Sequence, residues 1–310
     1  MQLEATHLFD TGAPVHLDID HRMYSIKAHA PENWVWHAFK GFGLIKSQFE
    51  NVGFTPKMFA AIGSGSGVDA IGASRIFTGL ERIVVTDVED DVVLQAAENV
   101  RKNVSNDIEV IGLSGNVCVP LAEQGIQADV IYANLPNIPL SGTENLDYGT
   151  FYRIDQHKVD SEAQEEADIN RYLLGLQYKY LESVKSALSE DGVATFMIGG
   201  RFPLEVLDEL ARASGFQYDE LLAGFKLQTE AVNVTDGYAQ WEVDGTEFDF
   251  YDYDQALEMI NMDAIHRGEE LKSRLHGTRV NASTARTLVD GGRRVGHTLH
   301  MMCGRPAATS

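Results

Sequence analysis

Two spacings of apolar residues alternate along most of the chain. Short, mostly apolar runs at Met58 to Ile62, Ile83 to Thr86, Ile108 to Ile111, Asp129 to Leu135 and Val193 to Ile198 predict strands, and Phe216 begins a sixth. Between them, apolar residues recur every three or four positions. Glu89 to Asn103 is the clearest case, with Val92, Val93, Ala96, Ala97 and Val100 on one face of a predicted helix. Asn33 to Glu50, Ile169 to Leu188 and Phe202 to Ala213 are also predicted helices, the first offering Trp34, Trp36, Phe39, Phe42 and Ile45 for packing on a core. Strands that alternate with helices predict an α/β fold around a parallel sheet. From about Ala231 the alternation stops. Tyr238 to Asp254 is aromatic and acidic and predicts a hairpin around Asp244-Gly245, Ala256 to Ile265 and Ser283 to Leu288 predict short helices, and Val295 to Met302 predicts the last strand.

The most informative stretch runs from Met58 to Asp87. Its first apolar run enters Gly63, Gly65 and Gly67, a helical pattern follows, and the second run ends at Asp87. Glycines at that spacing let the backbone turn sharply at a strand's carboxyl end and let a ligand lie against main chain. An acid at the tip of the next strand can accept both hydroxyls of a ribose. The expected ligand is an adenosine-containing cofactor. Gly65 to Ala70 also satisfies the looser dinucleotide pattern G-x-G-x-x-A, so the glycines alone leave a nicotinamide dehydrogenase open.

The choice turns on Asn134-Leu135-Pro136-Asn137, at the end of the run Val130 to Ala133. With that segment, the chain from Met58 to Gln228 resembles the class I S-adenosylmethionine-dependent methyltransferases. It looks most like the Asn-Pro-Pro-Tyr branch, which methylates nitrogen and includes the glutamine methyltransferases of the HemK type. The resemblance implies a seven-stranded, doubly wound α/β sheet (Rossmann-like) whose last two strands form an antiparallel hairpin. It divides the chain into an N-terminal helical cap (1–57), a cofactor-binding core (58–230), a substrate insertion before the last strand (231–294), and the last strand with its tail (295–310). Gly63, Ser64, Gly65, Gly67, Asp87, Val88, Asn116, Val117 and Asn134 are then the expected cofactor-binding residues, Asn116 through its side-chain oxygen at the adenine amino group. An ordinary turn asparagine is an equal alternative for Asn116.

Methyl transfer to a neutral amine needs little acid–base machinery. It needs the nitrogen lone pair aimed along the sulfur–methyl axis at ~3 Å, with its protons held elsewhere. Asn134 offers a side-chain carbonyl, Leu135 a main-chain carbonyl, and Pro136 stiffens the turn, so these three are the candidate catalytic residues. The alternative is a tight loop whose asparagine caps its own backbone. Asn137, Glu144 and Asp147 are the candidate substrate contacts. Two positions depart from the branch. Asn137 replaces the aromatic residue that would stack on a planar acceptor, and Ala61 stands where the first strand often carries an acid. Both fit a changed substrate, and both also fit a catalytically silent cofactor-binding partner.

Composition narrows the acceptor. The net charge is −21, with 46 Asp and Glu against 25 Lys and Arg, which opposes a nucleic-acid backbone and suits a small or cationic substrate. No apolar run reaches the ~20 residues that span a bilayer, and no secretory leader is visible, so a cytoplasmic protein without a membrane partner is expected. Cys118 and Cys303 lack metal-like spacing and read as buried thiols; no metal is expected. Asp244, Glu247, Asp249, Asp252 and Asp254 alternate with Phe248, Phe250, Tyr251 and Tyr253. Lining the cleft, they would suit a guanidinium or ammonium group; otherwise they form a solvated strand face. His297 and His300 fall on opposite faces of a strand, so at most one faces the cleft. The expected function is N-methylation of a small amine, guanidino compound or amino-acid-like molecule. A protein side chain as acceptor is the alternative, and the oligomeric state stays open, a homodimer among the options.

Overall fold

The computed structural model describes residues 15–19, 33–139 and 167–307. Glu144 and Asp147 lie outside the described residues. Helix α1 (Trp34–Asn51) starts where the Asn33 side chain accepts from the Val35 N–H at 3.1 Å. There follow β1 (Met58–Ile62), α2 (Val68–Ile76), β2 (Arg82–Asp87), α3 (Asp90–Asn103), β3 (Glu109–Ser114), α4 (Val119–Glu123) and β4 (Ala128–Ala133). Next come α5 (Ala167–Arg171), α6 (Gly175–Val184), β5 (Leu188–Gly199), α7 (Glu205–Ser214) and β6 (Phe216–Leu227). The last part holds α8 (Ala231–Gln240), β7 (Phe250–Asp252), α9 (Tyr253–Leu257), α10 (Gly268–Leu275), β8 (Arg279–Val280), α11 (Ala282–Asp290) and β9 (Val295–Pro306).

Strands β3, β2, β1, β4 and β5 lie side by side and parallel. The last strand in sequence, β9, is antiparallel to β5 on one edge and to β6 on the other. That order makes the expected doubly wound α/β sheet, with β6 paired to the antiparallel β9 at its edge. Among the described residues the sheet holds nine strands, two more than the expected seven. The two additions come from the segment between β6 and β9. Gly296 pairs with Leu227 of β6 and with Tyr251 of β7, so β7 continues the β5 side of β9 beyond the end of β5, and β8 pairs onto β7.

Three local expectations are corrected. Asp244 and Gly245 do turn, both with φ in the left-handed region, but the flanking residues form α8 and β7 instead of a hairpin. The aromatic side chains are the reason, since Tyr238, Phe248 and Phe250 cluster together and Tyr251 and Tyr253 pack on Phe225, which ties this segment to the sheet rather than to itself. The helix expected over Ile169 to Leu188 is two helices, broken where Leu173 adopts φ 63° and buries its side chain. The helix expected over Ala256 to Ile265 ends at Leu257, while α10 arises further on.

Apolar layers cover both faces. On one, Phe42 of α1 meets Phe59 and Tyr132 edge to face, with ring centroids 5.4 and 5.0 Å apart. The opposite layer, under α6 and α7, centres on Tyr180, Phe196 and Phe202. Among the described residues no helix is long and apolar enough to cross a membrane. The β6–β9 pairing is tightest at Gly304, where a Cβ would collide with the Gln217 carbonyl oxygen and the Tyr218 backbone. Backbone cannot swing aside as a side-chain tip does. Gly304→Ala should therefore cost about 1–3 kcal/mol of stability, read as a lower urea midpoint at unchanged slope.

Candidate functional site

A cavity of about 550 Å³ opens at the carboxyl ends of the parallel strands. This is where ligands bind open α/β sheets. Its floor at one end is the glycine turn. Gly63, Gly65 and Gly67 all take left-handed backbone, with φ between 49° and 79°. They serve different purposes. A Cβ at Gly67 would lie 2.9 Å from the Ala96 carbonyl oxygen, so this glycine lets α2 pack against α3. Beside Gly65 there is open space, and there the bare backbone faces the cavity.

Asp87, at the tip of β2, accepts from the Gly65 N–H at 3.1 Å and the Val88 N–H at 2.8 Å. Burial raises its carboxyl above the ordinary value, and the N–H groups of Gly65, Val88 and Glu89 oppose that only in part. Val88, Val92 and Val117 supply apolar wall, and Asn116 lines the cavity between β3 and α4.

Among the described residues, Ser64 Oγ, Asp69 Oδ1 and Thr86 Oγ1 are buried and have no hydrogen-bond partner, and all three residues border the cavity. Buried polar atoms are rarely left so, which makes a bound molecule the natural source of their missing bonds. Asp69, 4% exposed, is the most telling. Burial pushes its carboxyl well above the usual range. The sequence signal for it was a charge inside a helix that is otherwise buried from Val68 to Ala73. Ala61, by contrast, is simply core beside α1.

The Asn134 loop forms the middle of the cavity, and Asn134, Leu135, Pro136 and Asn137 all line it. Three ties hold the loop. Gln177 Nε2 of α6 donates to the Leu135 carbonyl at 3.2 Å, Asn137 Nδ2 donates to the Gly199 carbonyl at 3.0 Å, and Tyr238 OH of α8 donates to the Asn137 carbonyl at 2.6 Å. Leu135 thus has one lone pair engaged, and Asn137 spends its amide on β5. No hydrogen bond to the Asn134 side chain is formed among the described residues, which leaves the self-capping alternative without support.

The far end of the cavity, beyond β5, is basic. Arg201, Lys226 and His297 line it together with Gln228. They come from the end of β5, the end of β6 and the start of β9. Sequence spacing gave no sign of this meeting, except that Arg201 follows Gly199-Gly200 at a strand's carboxyl end. His297 faces the cavity, whereas His300 hydrogen-bonds Glu220 at 2.6 Å on the other side of β9. Burial, then the charges of Arg201 and Lys226, holds the His297 imidazole well below its ordinary pKa. Neutral, and 2.8 Å from the Thr298 carbonyl, it carries its proton on Nδ1 and keeps a lone pair on Nε2.

The acids of the 244–254 segment turn away from this chemistry. Asp249 pairs with Lys272 at 2.8 Å and Arg279 at 2.5 Å, Glu247 with Arg279 at 3.0 Å, Asp252 with Arg293, and Asp254 with Arg294. Burial works against the Asp249 carboxylate, but Lys272 and Arg279 outweigh it and hold its pKa below the usual value. None of these acids lines the cavity. From α1, only Trp34 reaches it, the other aromatic residues of that helix being packing.

The family described as ribosomal protein L11 methyltransferase (PrmA) matches residues 47–141, a stretch that holds the glycine turn, Asp87, Asn116 and the Asn134 loop. Among curated proteins no sequence matches the chain. Solved structures with some likeness include a ribosomal protein L11 methylase from Lactobacillus delbrueckii subsp. bulgaricus, at 19% identity over 68% of this chain and 80% of that one, with a TM-score of 0.42. A precorrin-6y C5,15-methyltransferase from Geobacter metallireducens GS-15 is 10% identical over 86% of this chain and 87% of that one, TM-score 0.38. A SAM-dependent methyltransferase from Agrobacterium tumefaciens is 13% identical over 87% of this chain and 62% of that one, TM-score 0.41.

Proposed function

We propose that this chain, a class I S-adenosylmethionine-dependent methyltransferase, methylates a nitrogen on a small amino-bearing molecule held over Asn134. Its cofactor, when bound, supplies a methyl group on a positively charged sulfur. The chain's own residues fit that group. Asp87 has carboxylate lone pairs for two vicinal hydroxyls, and Asn116 has an amide oxygen for an adenine amino group. The unpartnered carboxyl oxygen of Asp69 suits an ammonium, an acid that Ala61 does not provide. Ser64 and Thr86 add hydroxyls bordering the same cavity.

One observation carries the reading. Asn134 lines the cavity with a side chain that makes no hydrogen bond among the described residues, while the loop around it is tied at three places, so its carbonyl can hold an acceptor N–H without cost to the fold. The second lone pair of the Leu135 carbonyl can hold another. His297 Nε2, on a neutral ring that also lines the cavity, offers a lone pair for a hydrogen bond from the acceptor. Nitrogen is the acceptor atom in this proposal and a small molecule its carrier, with the chain divided at 57, 230 and 294.

A protein acceptor is the second reading, favoured by the name of the family that matches 47–141. Methyl-labelled cofactor incubated with the protein and separated metabolite and protein pools distinguishes them. Label is expected in the metabolite pool, on nitrogen by mass spectrometry. Label in the protein pool alone would replace this reading with the second, and label in neither would point to a silent cofactor-binding partner.

A further inference from the structure

The glycine turn is tied on two sides. Toward β2, the Ser64 N–H donates to the Thr86 carbonyl at 2.8 Å and the Gly65 N–H to the Asp87 carboxylate at 3.1 Å. Toward α3, the Ser66 carbonyl accepts from Asn99 Nδ2 at 2.9 Å. Asn99 is fully buried, and it reaches back to the N-terminal part of the chain. The same Nδ2 donates to the Asp18 carbonyl at 2.9 Å, and Asn99 Oδ1 accepts from the Asp18 N–H at 3.0 Å. One helical turn on, Asn103 treats His16 alike, donating to its carbonyl at 2.7 Å and accepting from its N–H at 2.9 Å. Two asparagines on one face of a helix thus stand in for a neighbouring strand, bonding the backbone of alternate residues as a sheet edge would. Residues 15–19 alternate to match. Val15 and Leu17 are fully buried in the apolar layer that also holds Val68 and Val100, while His16 and Asp18 are exposed. The ion pair of Lys102 and Asp18, 2.8 Å apart, is exposed and adds little. The segment is held by two amides and two apolar side chains.

We infer that residues 15–19 form a strap on α3 that holds the glycine turn in its cofactor-binding shape through Asn99, so that strap docking and cofactor binding favour each other. The inference rests on the methyltransferase reading of the cavity. Asn99 is a positioning residue in it, because it bonds the backbone of the turn. The Ser66 carbonyl lies between Gly65 and Gly67, where the chain has the most conformational freedom, and Ser66 lines the cavity. Its anchor therefore decides where the backbone that meets the ligand will lie. When the strap lifts, the Asn99 amide loses two bonds at a place shut off from water. A buried amide left so recovers them only by turning from Ser66 or by admitting water, and either change loosens the turn. Coupling of this kind is reciprocal: a ligand that prefers the docked form draws the strap down by the factor that the strap adds to its affinity.

Hydrogen exchange of the full chain, followed by mass spectrometry with and without saturating S-adenosylhomocysteine, tests the coupling in wild type. Amides of residues 15–19 should exchange faster than those of β1, as a strap that opens on its own requires, and saturation should slow them about fivefold or more. By reciprocity, undocking the strap should weaken S-adenosylhomocysteine by a similar factor in calorimetry. Leu17→Asp, which puts a charge at a fully buried position, should show that loss. Asn103→Ala makes the same test at a half-buried position, should Leu17→Asp fail to fold. Asn103 bonds only His16 and α3 itself and does not line the cavity, yet its loss should weaken the ligand by about twofold to fivefold. Strap amides that exchange no faster than β1, exchange that saturation leaves unchanged, or full affinity in Asn103→Ala would each overturn the inference and leave the asparagines as packing. A wild type that binds no S-adenosylhomocysteine would sink the parent reading and the inference with it, and calorimetry separates that outcome from the others.

Discussion

Asn134→Ala is expected to lower kcat by about a hundredfold to a thousandfold while S-adenosylhomocysteine affinity changes by no more than about threefold. The asymmetry follows from what the side chain touches. Among the described residues it receives and donates no hydrogen bond, and the loop that carries it is held through Leu135 and Asn137 instead. Truncation therefore removes the group we propose for holding the acceptor and leaves the loop's anchors intact. A single-turnover assay with the acceptor found in the labelling experiment measures the chemical step, and calorimetry measures the cofactor. Undiminished turnover would end the role given to Asn134. A large loss of cofactor affinity would move Asn134 from the acceptor to the cofactor.

Asp87→Ala should weaken S-adenosylhomocysteine by roughly tenfold to a hundredfold, about 1.5–3 kcal/mol, the range for hydrogen bonds to a charged group. The carboxylate also joins the tip of β2 to the glycine turn through Gly65, so the alanine variant loses some of the turn's order along with the ribose contact. Asp87→Asn separates the two contributions, since it keeps an acceptor oxygen and loses the charge; it should fall between wild type and alanine. A pH series adds an independent check. Burial raises the carboxyl pKa, so the protonated, weaker-binding form persists to higher pH than for an exposed aspartate. Affinity should fall as pH drops through that raised value, and the fall should vanish in Asp87→Asn. A flat profile in wild type would mean that Asp87 is not the group that meets the ligand.

Much of the frame could be read locally because its causes are local. The run Met58 to Ile62 is β1 to the residue, and Asp87 ends β2 where the spacing from the glycines put it. A strand buried on both faces must be apolar throughout, and a backbone that turns back under a helix must be glycine, so pattern and composition record these elements directly. Helix α3 shows the same directness, with its expected apolar face buried. Where the pattern misled, a distant partner had intervened. Leu173 breaks a helical run to bury itself beside Phe248 and Val295, and Tyr251 and Tyr253 leave a plausible hairpin for Phe225 of β6.

By itself the sequence determined the class: an α/β sheet, a glycine turn after β1, and an asparagine loop at the tip of β4. The tertiary structure decided the character of the cavity's far end. Strand β9, last in the chain, lies between β5 and β6, and only that placement brings Arg201, Lys226 and His297 to one cavity. It also decided that the acids of 244–254 would face their own arginines and Lys272 rather than a substrate. The physical reason is the same in both cases. Periodicity along a chain reports whether a residue is buried, but the sign of charge across a cleft depends on which strands become neighbours, and that is fixed by packing over separations that no local pattern spans.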